Sequence, residues 1–95
     1  MKKPAIYIIT NKPNGVLYIG VTSHLQQRIW QHKEKSVEGF SRKYNCHQLV
    51  YFEVHETMED AILREKQLKV WKRNWKIRLI EELNPDWKDL YEDIL

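Results

Sequence analysis

Arg28 and His32 lie four residues apart in the stretch Leu25-Gln26-Gln27-Arg28-Ile29-Trp30-Gln31-His32, so a helix there would put them on one face. A guanidinium in that place can grip a phosphate with two hydrogen bonds, and an imidazole can move a proton near neutral pH. A solvated face with no chemical task fits the same spacing. Glu65 is the second unusual residue. At helical spacing it falls in the middle of Ala61, Ile62, Leu68, Lys72 and Trp75. A carboxylate among apolar side chains costs energy unless it is paired or holds a cation. Lys69, Lys72 or a backbone group would satisfy it structurally. Otherwise it is an acid–base group or a metal ligand, and a single carboxylate completed by water and phosphate oxygens suits Mg²⁺.

Two tyrosines enter through a hairpin. Ala5-Ile6-Tyr7-Ile8-Ile9-Thr10 is β-branched and aromatic, as a buried strand should be. Pro13-Asn14-Gly15 marks a turn, and Val16-Leu17-Tyr18-Ile19-Gly20-Val21 is the return strand. Either a two-residue or a four-residue loop pairs odd positions with even ones, so Tyr7 and Tyr18 project from the same face. Gly20 falls on that face and would leave a gap beside them. Other chemistries find no support. The four histidines have no zinc spacing, and Ser23, Ser36 and Ser41 lack nucleophile-elbow glycines. Gly15 and Gly20 make no phosphate loop. Trp71 and Trp75 are able to stack on bases, although a tryptophan pair at this spacing is more often core.

The elements needed to hold these residues can be read in outline. After the hairpin, Thr22-Ser23 caps a helix from Leu25 to about Lys35, and residues 37–46 are loop-like. A third strand spans His47 to Val54. Thr57 and Asp60 resemble a capping box that opens a helix from Met58 to about Lys72. A further helix runs from about Trp75 to Leu83 and stops before Pro85. Asp86 would cap a last short helix with Trp87, Leu90, Tyr91 and Ile94 on one side. This order predicts an α+β fold, a small three-stranded, mostly antiparallel sheet flanked by helices.

At 95 residues the chain has the size of one domain, expected over 1–95, with its core at about 4–87 and a short C-terminal helix at 86–95. No apolar run is long enough for a membrane span. The apolar stretch after the first lysines is short for a signal peptide, and Cys46 has no partner for a disulfide, so a cytoplasmic location is expected. The net charge of +3 conceals alternating blocks: +6 over residues 1–47, −4 over 48–63, +6 over 64–78 and −5 over 79–95. A polyanion is a plausible partner if the two basic blocks share a face.

Together these residues resemble the GIY-YIG nuclease family. Ala5-Ile6-Tyr7 followed by Tyr18-Ile19-Gly20 is similar to its signature, and the Leu25-to-His32 stretch resembles its L-x-x-R-x-x-x-H helix. Glu65, within Ala61-Ile62-Leu63-Arg64-Glu65-Lys66-Gln67-Leu68-Lys69, resembles its metal-binding helix. The tail around Asn84-Pro85-Asp86-Trp87-Lys88 is similar to small stand-alone bacterial members. The resemblance implies a phosphodiester-cleaving enzyme acting on DNA, whether branched, nicked, single-stranded or duplex, with Mg²⁺ or Mn²⁺. Tyr7 or Tyr18 would accept the proton of the attacking water, and Arg28 and the metal would stabilise the transition state and lower the tyrosine pKa. His32 would relay a proton, and Glu65 would hold one metal. Gly20, Arg42, Lys43 and Lys69 would contact substrate.

Three positions depart from the family pattern. Ala5 replaces a glycine. Val21 stands where some members have a lysine, leaving Lys35, Lys43 or water as the general acid. The asparagine that many members carry after the metal-binding glutamate would be Asn74 or Asn84. The competing expectations are a nucleic-acid-binding module of the same fold and a protein-interaction domain whose charged blocks meet a partner chain. The acidic tail is expected away from a cleft bordered by both basic blocks.

Overall fold

The computed structural model describes residues 3–95, and Met1 and Lys2, the start of the first basic block, lie outside them. Strand β1 (Ala5–Thr10) is buried at every position and lies in the middle of a three-stranded antiparallel sheet. Its neighbours are β2 (Leu17–Thr22) and β3 (Gln48–Val54). A continuous apolar strand needs cover on both faces, and the helices provide it. Ile6 and Ile8 face Ala61, Leu68, Ile80 and Trp87 on one side. Ala5, Tyr7 and Ile9 face Leu25, Ile29, Cys46 and Leu49 on the other.

The hairpin has the four-residue parity. Tyr7 pairs with Gly20 and Ile9 with Tyr18, so the two tyrosines share a face. The turn is not an Asn-Gly corner pair, however. Gly15 N–H donates to the Lys12 carbonyl at 2.9 Å, which puts Pro13 and Asn14 at the corners, with Asn14 at φ 57°. Proline followed by a residue of positive φ is the type II arrangement. Asn11 Oδ1 accepts from Val16 N–H at 2.9 Å and closes the loop.

Helix α1 (Leu25–Lys33) covers the Tyr7 face with Leu25, Ile29 and His32. The segment expected as loop contains a four-residue helix, α2 (Phe40–Lys43), entered through Gly39 at φ 102°. That φ is costly for any residue with a Cβ. Thr57 caps α3 (Met58–Val70) by accepting from Asp60 N–H at 3.1 Å. This helix ends two residues short of the expected Lys72, because Trp71 and Lys72 take extended backbone. Helix α4 (Arg73–Leu83) therefore starts afresh, and the Glu65 stripe does not continue to Trp75, which is 47% exposed.

The chain closes with a 3₁₀ helix at Leu90–Ile94, capped by Asp89 rather than Asp86. Leu90, Tyr91 and Ile94 pack on the Tyr7 face, whereas Trp87 is buried in the opposite core, so these four do not form one side. No helix among the described residues is long and apolar enough to cross a membrane.

Candidate active site

Tyr7 is the pivot of the site. Its place on the central strand leaves it 2% exposed, yet its hydroxyl meets His32 Nε2 at 2.9 Å. The absence of a side chain opposite makes this possible. A Cβ on Gly20 would sit 2.3 Å from both Cζ and the hydroxyl oxygen of Tyr7. Gly20 therefore leaves no open gap for substrate: the Tyr7 ring fills that space. Tyr18 lies beside it, with ring centroids 6.4 Å apart, and His32 is 5.6 Å from each tyrosine ring.

His32 is held from both sides. Its Nδ1 meets Ser41 Oγ at 3.0 Å, and both residues are buried. Burial, reinforced by the Arg28 guanidinium, pushes the imidazole pKa down to about 4, so it is neutral at pH 7. Burial also raises the Tyr7 phenol well above its usual range, and the Tyr18 and Glu65 side chains add to this. Arg28 acts in the lowering direction but is outweighed. At Tyr7, desolvation of an anionic phenolate is a larger effect than the Arg28 charge alone.

Glu65 approaches from α3, which packs against β2 and β1. Its side chain is 14% exposed, and Lys69 Nζ pairs with it at 2.9 Å, one of the satisfying partners expected for it. Lys69 also lines a shallow groove of about 190 Å³ with Leu17, Tyr18, Ile19, Phe40 and Lys76. Phe40 stacks on Tyr18, with centroids 6.1 Å apart and planes 24° from parallel, and Tyr44 packs 4.6 Å from Phe40. Arg28 lines a neighbouring polar recess of about 230 Å³ with Thr22, Ser23, His24, Gln27 and Gln31. His24 Nδ1 is buried there without a hydrogen-bond partner among the described residues.

Tyr7, Tyr18 and His32 are thus in mutual contact, and the charges of Arg28 and Glu65 both act on Tyr7. Other expected residues sit further out. Arg42 pairs with Glu38 at 3.7 Å in solvent, and Lys43 lies over the Tyr44 ring at 5.5 Å. Asn84 is occupied elsewhere: its Nδ2 donates to the Val50 and Lys88 carbonyls and its Oδ1 accepts from Lys88 N–H. Asn74 is exposed near the start of α4, beside Ile77, Arg78, Glu81 and Glu82. Neither asparagine joins the site. Trp71 is half-buried against the core, and with Trp75 it borders a separate recess beside Arg78, Leu79 and Glu82.

Ser41 and Phe40 are the members that sequence reasoning passed over as site residues. Ser41 has no motif spacing to His32, and its role exists only because α2 folds back onto α1. A polar network around Glu53 was also missed. Arg64 bonds it through Nη2 at 2.9 Å and Nε at 3.0 Å, and the Tyr51 hydroxyl and His55 complete it. Burial opposes the Glu53 charge, but these hydrogen bonds outweigh it and hold the carboxyl below its usual range.

No three acidic, histidine or cysteine side chains cluster as a metal cage among the described residues. The hard oxygen donor at hand is the Glu65 carboxylate, which leaves the other positions around a cation to water and phosphate oxygens. That set fits a cation that keeps most of its water shell, as Mg²⁺ does, and does not fit zinc.

The GIY-YIG catalytic domain matches residues 3–78. The chain belongs to the GIY-YIG family. Its sheet with flanking helices is the expected α+β fold, and the family domain is nuclease-like. Among its GIY-YIG relatives, a UPF0213 protein of Staphylococcus saprophyticus is 34% identical over 82 residues, covering 86% of this chain and 99% of that one. A UPF0213 protein of Staphylococcus haemolyticus is 32% identical over the same shares. One from Staphylococcus aureus strain Mu3 is 31% identical over 77 residues, covering 81% and 93%. No solved structure matches this chain.

Proposed function

We propose that this GIY-YIG domain is a Mg²⁺- or Mn²⁺-dependent endonuclease that hydrolyses phosphodiester bonds in DNA. The observation that carries the reading is the buried Tyr7–His32 hydrogen bond, with Tyr18, Arg28 and Glu65 around it. Such a group does little for stability that an apolar cluster would not do better. Its parts are those that phosphodiester hydrolysis needs: a proton acceptor, a phosphate-binding cation and a carboxylate able to hold a metal.

Arg28 binds the scissile phosphate and stabilises the charge that builds on it. Tyr7 takes a proton from the attacking water while its own hydroxyl proton passes to neutral His32, and the leaving oxygen takes a proton from solvent. Because burial disfavours a free phenolate, this coupled transfer is the route open to Tyr7. Glu65 would hold the divalent cation, whose positive charge would offset that of the phosphate. Lys69 and Lys76 contact neighbouring phosphates, and Arg42 and Lys43 lie on the approach to them.

A panel of DNA structures incubated with Mg²⁺ or Mn²⁺ tests the proposal. Wild type should cut at least one of them, Arg28→Ala should be slower by about 10²-fold or more, and Glu65→Ala should be inactive. Equal cutting by Glu65→Ala would sink the enzymatic reading. The Glu65–Lys69 ion pair favours a second reading, in which the carboxylate is simply neutralised and the domain binds nucleic acid without cleaving it. Salt-dependent DNA binding by wild type with no cleavage under any metal would select that reading.

A further inference from the structure

We infer that Ser41 is a positioning residue that fixes the tautomer of His32, placing its proton on Nδ1 and leaving Nε2 bare to accept from Tyr7. The contacts that argue it form one buried line: Tyr7 hydroxyl to His32 Nε2 at 2.9 Å, and His32 Nδ1 to Ser41 Oγ at 3.0 Å. All three residues are almost fully buried, so water does not arbitrate between the ring nitrogens.

A neutral imidazole carries one ring proton, and the two hydroxyls compete for the bare nitrogen. The phenol is the more acidic hydroxyl and the better donor, so it takes the acceptor nitrogen. The other nitrogen then carries the proton and donates to Ser41 Oγ, and without that acceptor the buried Nδ1–H would be left unpaired and this tautomer would lose its advantage. With the opposite tautomer, Nε2–H would point at Tyr7, the phenol proton would have no base to receive it, and the coupled transfer would be blocked. Burial keeps His32 neutral at pH 7, as this arrangement needs.

Ser41 is itself fixed in place. Its carbonyl accepts from Cys46 N–H at 2.8 Å, which ties α2 to the lead-in of β3. Its neighbour Phe40 stacks on Tyr18. The orienting hydroxyl thus sits one residue from Phe40 and one from Arg42, both on the substrate approach.

The kinetic half of the test rests on the nuclease reading, whereas the spectroscopic half does not. In wild-type protein, nitrogen-15 NMR of the His32 ring should show the proton on Nδ1. Ser41→Ala should give a mixture of tautomers and lower kcat by about 10-fold with KM unchanged, the scale expected for losing a group that orients a functional histidine. Ser41→Thr, which keeps the hydroxyl, should restore both. A wild-type ring protonated on Nε2, or a Ser41→Ala ring with an unchanged tautomer, would overturn the inference. If wild type cuts no DNA, the loss falls on the nuclease reading and the spectra alone decide the role of Ser41.

Discussion

A single missing methyl sets the geometry around Tyr7. Gly20→Ala would place a Cβ 2.3 Å from the Tyr7 ring tip, which real atoms do not tolerate. The ring must move and surrender His32, so cleavage should fall to background. Stability should drop by about 1–3 kcal/mol, read from urea unfolding. Acid should act through His32. The unfolded imidazole titrates near 6.5 and the folded one near about 4, so the unfolded chain binds more protons between those values. Stability is therefore full above pH ~6.5 and declines as pH falls toward 4, by at most about 3 kcal/mol. Replacing His32 with Gln should flatten that stretch of the unfolding curve against pH. Pairing parity was enough to put Tyr7 and Tyr18 on one face from sequence. It also put Gly20 on that face, but the gap expected there is filled, because whether a gap is open or closed depends on the ring across the strand.

The hairpin strands, α1, β3 and the Thr57 start of α3 were legible, although α1 is entered at His24 with no side-chain cap rather than through Thr22-Ser23. Helix α2 was not, since four residues carry no periodicity and Gly39 reads as loop. The break between α3 and α4 was read about two residues late, after Lys72 rather than at Trp71 and Lys72, because no glycine or proline marks it. Its cause is tertiary. Restarting at Arg73 lets that side chain reach the Asn14 and Gly15 carbonyls of the hairpin, at 2.8 and 2.5 Å. Asn84, read from sequence as a possible site residue, instead pins the end of α4 to β3. Asn84→Ala leaves the buried Val50 carbonyl and two Lys88 backbone groups without that partner. It should cost about 2–3 kcal/mol in urea unfolding while the folded fraction keeps its kcat. A large fall in kcat per folded molecule would return Asn84 to the site.

Across the whole molecule, the charge blocks matter more than the net +3. Lys69 and Lys76 of the second basic block border the groove with Tyr18 of the first. Burial and the nearby Arg73 lower the Lys76 pKa, so an anion settling there would relieve the crowding. Removing Lys76 should weaken DNA binding and reduce the slope of log affinity against log salt by about one unit. An unchanged slope would place the strand elsewhere. The acidic tail packs across the sheet from β2, against β3 and α1, where Asp89 binds Lys33 and Leu49 N–H. The molecule also has an uneven resistance to opening. Tyr7 rides on the central strand, whose amides should be among the last to exchange with heavy water. Ser41 rides on a four-residue helix with mostly exposed neighbours, bounded by positive φ at Gly39 and Asn45, which should open early. On warming, turnover should drop by about 10-fold several degrees before the protein melts, and on cooling it should recover without refolding.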